Sequence, residues 1–134
     1  MLIHGLQKTT HYFGGDGFEA TLKMFTETMK IPYALAMAAI ITESVGSICL
    51  ILGFLTRFWA AGMAVLISVA AYKVHFANGF FMNWSGKQNG EGFEYHILVL
   101  GMSLALLGLG GGKASIDAAL SGAPKEAKSD KIKA

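Results

Sequence analysis

The stretch from Ile31 to Leu55, IPYALAMAAIITESVGSICLILGFL, constrains the fold more than any other part of the chain. A helix that crosses a bilayer needs about 20 mostly apolar residues, so this stretch is long enough to be one. Its single charged residue, Glu43, stands in the middle. An acid at the centre of a membrane helix costs roughly 2.5 to 3.5 kcal/mol. Glu43 is therefore expected to face protein, water or a partner and not lipid.

The small residues of this stretch fall on the same side of a helical wheel as Glu43; they are Ala36, Ala39, Gly46 and Ser47. Small residues let neighbouring helices approach closely in lipid, so this side is expected to face the interior of a bundle. A structural hydrogen bond and a functional role both remain open for the carboxyl group.

We expect Glu43 to be protonated at pH 7, because no cation is expected at its depth. Arg57 lies about 21 Å away along the helix axis, and Lys73 lies too far outward to form a short pair. Lys8 and Lys73 are both expected to place their ammonium groups at the membrane boundary.

The composition supports a membrane protein, because 53% of the 134 residues are hydrophobic and 15% are charged, against about 25% charged in ordinary globular chains. The pattern predicts an all-α integral membrane helix bundle with full spans near residues 32–55, 57–78 and 95–112. A short amphipathic interfacial helix is predicted from Asp16 to Lys30, with Asp16 and Glu19 as a capping box. The bundle is expected to occupy residues 1–120, and a basic flexible tail residues 121–134.

The net charge of +2 is too small to indicate nucleic acid as a partner. Cys49 is the single cysteine, so an internal disulfide is impossible, and a buried, inert thiol is expected. The lysines of the tail favour a cytoplasmic C-terminus in a multi-pass protein of the plasma or inner membrane.

Several polar residues near the ends of the second and third spans are candidates for a substrate or quinone site: Ser68, Tyr72, His75, Glu94, Tyr95 and His96. The first three lie on one side of the second span, and a polar track from the outer surface to Glu43 is geometrically possible. Glu43 is the candidate catalytic residue, since acids inside membranes are usually functional. The spacing of the four histidines matches no metal motif, so neither a metal site nor haem is expected.

The order of the polar motifs resembles the DoxX family of small membrane proteins. The motifs are HGLQK at 4–8, ESVGSICLILGFLTR at 43–57, VHFANGFF at 74–81, EYHILVLG at 94–101 and GGGKASIDAAL at 110–120. The resemblance implies a bundle of four membrane helices and an association with membrane redox processes, including quinone-dependent thiosulfate oxidation and oxidative stress.

Most of the family's first helix, which precedes the HGLQK-like motif, is missing here. We therefore expect the open flank of the bundle to be filled by a second copy of the chain or by residues upstream of Met1.

Three functions follow as hypotheses. The first is an oxidoreductase component that works with a quinone or with sulfur or thiol chemistry, and that borrows its electron carrier from a soluble redox-enzyme partner. The second is a non-enzymatic membrane scaffold or assembly factor for such an enzyme. The third is a small transporter or proton path that uses Glu43.

Overall fold

The computed structural model describes residues 1–122 of the chain, and the secondary structure of this part is entirely helical. An all-α bundle is therefore confirmed. The predicted tail at 121–134 lies outside the described residues, apart from its first two positions.

Six helices follow one another along the described chain. They are α1 (Leu2–Thr9), α2 (Gly17–Lys23), α3 (Tyr33–Leu52), α4 (Thr56–Asn78), α5 (Glu94–Leu109) and α6 (Ile116–Leu120). A 3₁₀ turn at Tyr12–Gly14 lies between α1 and α2, and α2 continues through a π-helical turn at Met24–Thr28. Two further π-helical turns interrupt the long helices, at Thr42–Gly46 in α3 and at Ala71–His75 in α4.

Helices α3 and α4 are long and apolar enough to cross a membrane, with 20 and 23 residues. They confirm the first two predicted spans to within three residues at each end. A tight turn joins them, in which Gly53 and Leu55 have positive φ angles of 65° and 48°. Gly53 tolerates this conformation because it has no Cβ, and it ends α3 in the manner common for glycine.

The third predicted span, 95–112, coincides with α5, but the helix is shorter than expected. Its 16 residues measure about 24 Å at 1.5 Å per residue, less than the bilayer core of about 30 Å. Gly110, with a φ of 75°, ends the helix. Helix α5 is therefore apolar throughout but falls short of a full, untilted crossing.

Helices α4 and α5 pack antiparallel and contain the buried core. Met63 and Ile67 of α4 meet Val99 of α5, with Met1 and Leu50 packed beside them. At one end of the pair, Nη2 of Arg57 donates to the carbonyl oxygen of Gly108 at 3.0 Å. The apolar cluster thus brings the N-terminus and α3 into contact with the pair formed by α4 and α5.

Helix α1 packs against the middle of α3, and Gly5 makes this approach possible. A Cβ at Gly5 would lie 2.5 Å from the backbone oxygen of Glu43 and 2.6 Å from Cα of Ser44. Only glycine fits such a close contact between two backbones. The short N-terminal helix is therefore an integral part of the bundle at the level of Glu43.

The segment predicted as an amphipathic helix forms α2 and its π-helical extension, but the predicted capping box is absent. Asp16 occupies the N-cap position in an α-helical conformation, and its side chain accepts no capping hydrogen bond. Because a capping residue needs an extended backbone to turn its side chain back onto the helix, this conformation excludes the cap. Phe18 is exposed, while Leu22, Phe25 and Met29 are half-buried.

The predicted inward side of α3 is confirmed. Glu43, Gly46, Ser47 and Ala36 are buried, and Ala39 is half-buried. The small side chains leave room for neighbouring elements: a Cβ at Gly46 would lie 2.7 Å from Cε3 of Trp59. This face carries Glu43 into the bundle.

Candidate functional site

Glu43 forms an ion pair with Lys8 inside the bundle. Nζ of Lys8 lies 2.6 Å from Oε2 of Glu43, and the two side chains are 24% and 6% exposed. The second ion pair within residues 1–122 joins Lys23 to Glu27 at 3.9 Å and is largely exposed. The Lys8–Glu43 pair is therefore the ionic contact of the described chain that is withdrawn from solvent.

The local backbone at Glu43 departs from a regular α-helix. Glu43 lies in the π-helical turn Thr42–Gly46, and Oγ of Ser47 donates to its backbone oxygen at 2.6 Å. Single π-helical turns inside α-helices are frequent at functional sites. The turn, the acid and its partner from α1 together form a compact polar centre within an apolar helix.

Two expectations about these residues are wrong. A cation does lie at the depth of Glu43, and Lys8 is not a boundary residue. The cause is the direction of α1, which runs along α3 and places Gly5 against the backbone of Glu43 and Ser44. Lys8 lies one turn farther along α1 on the same side. The expectation of a protonated Glu43 rested on the absence of such a cation and loses its basis.

The polar track that is geometrically possible along the second span is not formed by Ser68 and Tyr72. Ser68 is exposed, and its Oγ donates to the backbone oxygen of Ala64 at 2.8 Å. Tyr72 is 76% exposed. The buried face of α4 carries Ala60, Met63 and Ile67 instead, so Ser68 and Tyr72 point away from the interior and do not approach Glu43.

His75 and His96 come together at the far end of α4, where α5 begins. Their ring centroids are 4.2 Å apart with a 43° angle between the ring planes. His96 is 9% exposed, and its Nδ1 has no hydrogen-bond partner among the described residues. We call this pair, together with Phe76 and Phe93 from the same two chain segments, the histidine mouth.

Aromatic residues neighbour the two histidines along the chain: Phe76 follows His75, and Tyr95 precedes His96. Phe76 stacks on Phe93 at 5.6 Å between centroids, with 15° between the rings, and Phe80 meets Phe93 edge-on at 5.4 Å. Tyr95 is 38% exposed and lies 6.4 Å from His96. The histidine mouth is thus a largely aromatic surface with two imidazoles in it.

The loop between α4 and α5 holds the histidine mouth through backbone atoms. Nδ1 of His75 lies 2.9 Å from the carbonyl oxygen of Glu91, which also accepts a hydrogen bond from Nδ2 of Asn78 at 3.1 Å. Oε2 of Glu94 accepts from the backbone N–H of Met82 at 3.2 Å. This hydrogen bond ties the Glu94 side chain to the loop.

No group of three or more His, Cys, Asp or Glu side chains within residues 1–122 is placed to hold a metal ion. His4 and His11 are exposed and lie on other elements. Cys49 is half-buried in α3. The imidazoles of the histidine mouth can form hydrogen bonds and exchange protons, and its aromatic rings can stack on a flat ring.

Sequence reasoning missed Lys8 as the partner of Glu43, and Asn78 and Glu91 as residues that hold His75. The spacing of Gly5 and Lys8 was a usable signal. A glycine one turn before a lysine puts a close backbone approach and a cation on the same face of a helix. No comparable signal marks Glu91, because its contact uses a backbone oxygen.

Comparison with known proteins gives one result. The sequence model of the DoxX family matches residues 1–76, which is more than half of the 134 residues. The match includes the Lys8–Glu43 pair and His75, and His96 lies beyond it. No curated protein and no solved structure matches the chain. With its two apolar helices of spanning length, the chain is a membrane protein that belongs to the DoxX family.

Proposed function

We propose that the protein is a quinone-binding component of a membrane redox system and that the histidine mouth receives the quinone head group. The observation that carries the proposal is the contact of two imidazoles, 4.2 Å apart, on the same two chain segments that bring together the stacked rings of Phe76 and Phe93. A quinone head group is flat and carries two oxygens that accept hydrogen bonds. Aromatic rings bind a flat ring through offset or edge contacts, and imidazole N–H groups donate to its oxygens.

The hydrogen bond of His75 fixes which of its nitrogens can exchange a proton. The carbonyl oxygen of Glu91 can only accept, so Nδ1 of His75 carries the hydrogen in this contact. In the neutral ring Nε2 is then the acceptor. Nε2 is thus the atom that would accept the proton of a quinol hydroxyl, and, once protonated, would donate to a quinone oxygen.

The electrons must come from another protein. Oxidation of a quinol releases two electrons and two protons, and reduction of a quinone consumes them. With one cysteine the chain has no thiol pair to carry electrons. We therefore propose a soluble partner enzyme with a flavin or metal cofactor as the electron donor or acceptor. A small thiol or sulfur compound at the same mouth is the alternative substrate.

The lysines beyond residue 122 favour a plasma or inner membrane location with the C-terminus in the cytoplasm, following the positive-inside rule. Because α5 leads from the histidine mouth towards the C-terminal end of the chain, the mouth would then open on the outer side. The soluble partner enzyme would then lie on the outer side of the membrane.

The test is quinone binding by the purified protein in native lipid. Mass spectrometry of extracted lipids and titration with a short-chain quinone analogue would measure occupancy and Kd. We expect His75→Phe and His96→Phe, which keep a ring and remove the polar nitrogens, to weaken binding at least about tenfold. His11→Phe is the matched control, since His11 is exposed and lies on another element. Equal Kd values for all four proteins would refute the proposal, and binding of a thiol compound in place of quinone would identify the alternative substrate.

The Lys8–Glu43 pair favours a proton path as a second candidate function. Ionisable pairs inside membranes recur in proton relays, and this one lies on a π-helical turn. Proton flux into liposomes that contain the protein would test it. Glu43→Gln is expected to stop the flux while the protein stays folded, and flux that is identical in wild type and variant would remove this candidate.

A further inference from the structure

We propose that the cleft at the other end of α4 binds the phosphate group of an anionic phospholipid. The cleft has a volume of about 950 Å³ and lies between the start of α4, the end of α5 and α6; its polar lining includes Thr56, Arg57, Gly111, Gly112, Lys113 and Asp117. Arg57 and His75 are 18 residues apart on α4, about 27 Å at 1.5 Å per residue. The cleft and the histidine mouth are thus separate sites near opposite membrane surfaces.

Arg57 supplies a fixed positive charge to the cleft. One guanidinium nitrogen donates to the carbonyl oxygen of Gly108 at 3.0 Å, and a guanidinium has five N–H groups in a fork that matches phosphate. Within residues 1–122, Arg57 takes part in neither of the two ion pairs. The remaining N–H groups of Arg57 are therefore available to an anion.

The glycine loop after α5 adds backbone donors. Gly110 and Gly112 both have a φ of 75°. None of the hydrogen bonds made within the described part of the chain uses the backbone N–H of Gly111 or Gly112. A phosphate presents several acceptor oxygens, and successive backbone N–H groups in a turn form concave anion sites.

Asp117 is the acidic group of the cleft, and its charge is already engaged. Its two carboxylate oxygens accept the backbone N–H groups of Leu55 and Thr56 at 2.7 and 2.8 Å. Asp117 thus occupies the N-terminus of α4. Arg57 has no acidic partner within residues 1–122, so the side of the cleft formed by Arg57 and the glycine loop is left positive.

The apolar part of the cleft indicates a lipid and not a free phosphate. Large side chains on its walls are exposed: Leu55 is 50%, Phe58 66% and Leu109 84% exposed. The turn at Gly53–Leu55 joins the two helices of spanning length, so these side chains lie where headgroups meet acyl chains. An anionic phospholipid matches both halves of the cleft, whereas inorganic phosphate would use only the polar half.

The test is retention of defined lipids by the full chain, measured by native mass spectrometry from mixed micelles. We expect wild type to retain phosphatidylglycerol over phosphatidylcholine, and Arg57→Gln to weaken that retention about tenfold. Lys73→Gln is the matched control, because it removes an equal charge from an exposed position near the other end of α4. Arg57→Lys, which keeps the charge, should retain most of the binding, and thermal unfolding of each variant shows that it is folded.

Three results would overturn the proposal. The first is equal retention of the two lipids by wild type, and the second is equal loss in the Arg57 and Lys73 variants. The third is displacement of phosphatidylglycerol by inorganic phosphate, which would make soluble phosphate the ligand. Quinone binding at the histidine mouth should be unchanged in Arg57→Gln, so failure here is distinguishable from failure of the proposed function.

Discussion

Nζ of Lys8 lies 2.6 Å from Oε2 of Glu43 and joins the N-terminal helix to the middle of the first long span. Each charge compensates the other inside the bundle. The effect of replacing one residue on stability therefore depends on whether the other is present. Removal of one partner from a buried pair costs about 3 to 5 kcal/mol, whereas apolar replacement of both is often nearly neutral. If the two residues act as a pair, the double replacement should cost less than the sum of the two single replacements.

A double-mutant cycle on Lys8→Met and Glu43→Gln should reveal strong coupling. We expect each single change to lower the free energy of unfolding by about 3 kcal/mol and the double change to cost less than the sum, with a coupling of about 1 to 3 kcal/mol. Unfolding in mixed detergent, followed by tryptophan fluorescence, measures it. The exposed Lys23–Glu27 pair is the control, with coupling below about 0.5 kcal/mol. Equal coupling in the two cycles would contradict the buried pair.

Gly5→Ala should destabilise the protein by about 1 to 3 kcal/mol through overpacking. The new Cβ would meet backbone atoms of Glu43 and Ser44 at 2.5 and 2.6 Å, and backbone cannot move aside as a side chain can. Gly101→Ala is the control, since a Cβ there has nothing within 4 Å and alanine favours helix. Thermal unfolding of the two variants measures the difference. A Gly5 variant as stable as the Gly101 variant would show that α1 does not pack closely on α3.

Asp117 should make stability depend on pH. Hydrogen bonds from the backbone and side chain of Thr56, and from the backbone of Leu55, lower the pKa of Asp117 from its ordinary value of 3.8. Because the folded state holds the proton less tightly, the stabilisation is present above pH 3.8 and is lost as the pH falls through the lowered pKa. Asp117→Asn should remove this pH dependence and destabilise the protein at neutral pH.

The control for Asp117 is Asp16→Asn. Asp16 also precedes a helix, but its side chain makes no capping hydrogen bond, so its replacement should leave stability nearly unchanged. Chemical unfolding of the wild type and both variants between pH 3 and pH 7 would measure the two curves. Parallel curves for wild type and Asp117→Asn would rule out the capping role.

Trp59→Phe should be tolerated. The indole Nε1 is buried and has no hydrogen-bond partner among the described residues, while the ring packs against Gly46. Phenylalanine keeps most of the ring and removes the unsatisfied donor, so we expect a change below about 1 kcal/mol. Trp59→Ala, which leaves a cavity, should cost about 3 kcal/mol or more. Similar losses in both variants would mean that Nε1 has a partner in the membrane-embedded protein.

Sequence patterns alone predict the long helices and the inward direction of Glu43. Length and hydropathy located α3 and α4, because a bilayer imposes a minimum apolar length on any helix that crosses it. The small residues beside Glu43, among them Ala36 and Gly46, identified the packed side of α3, because only small side chains let helices approach closely in lipid. These signals are local and need no knowledge of neighbouring helices.

Which residues contact one another depends on how the helices pack. Lys8 and Glu43 are far apart in sequence, and the path of α1 along α3 brings them together. The buried face of α4 carries Met63 and Ile67, and not Ser68 and Tyr72. Sequence pattern could not reveal this, because the lipid-facing and protein-facing sides of a membrane helix are both apolar and so lack the contrast that marks burial in water. The contact of His75 with His96 likewise depends on the packing of α4 against α5.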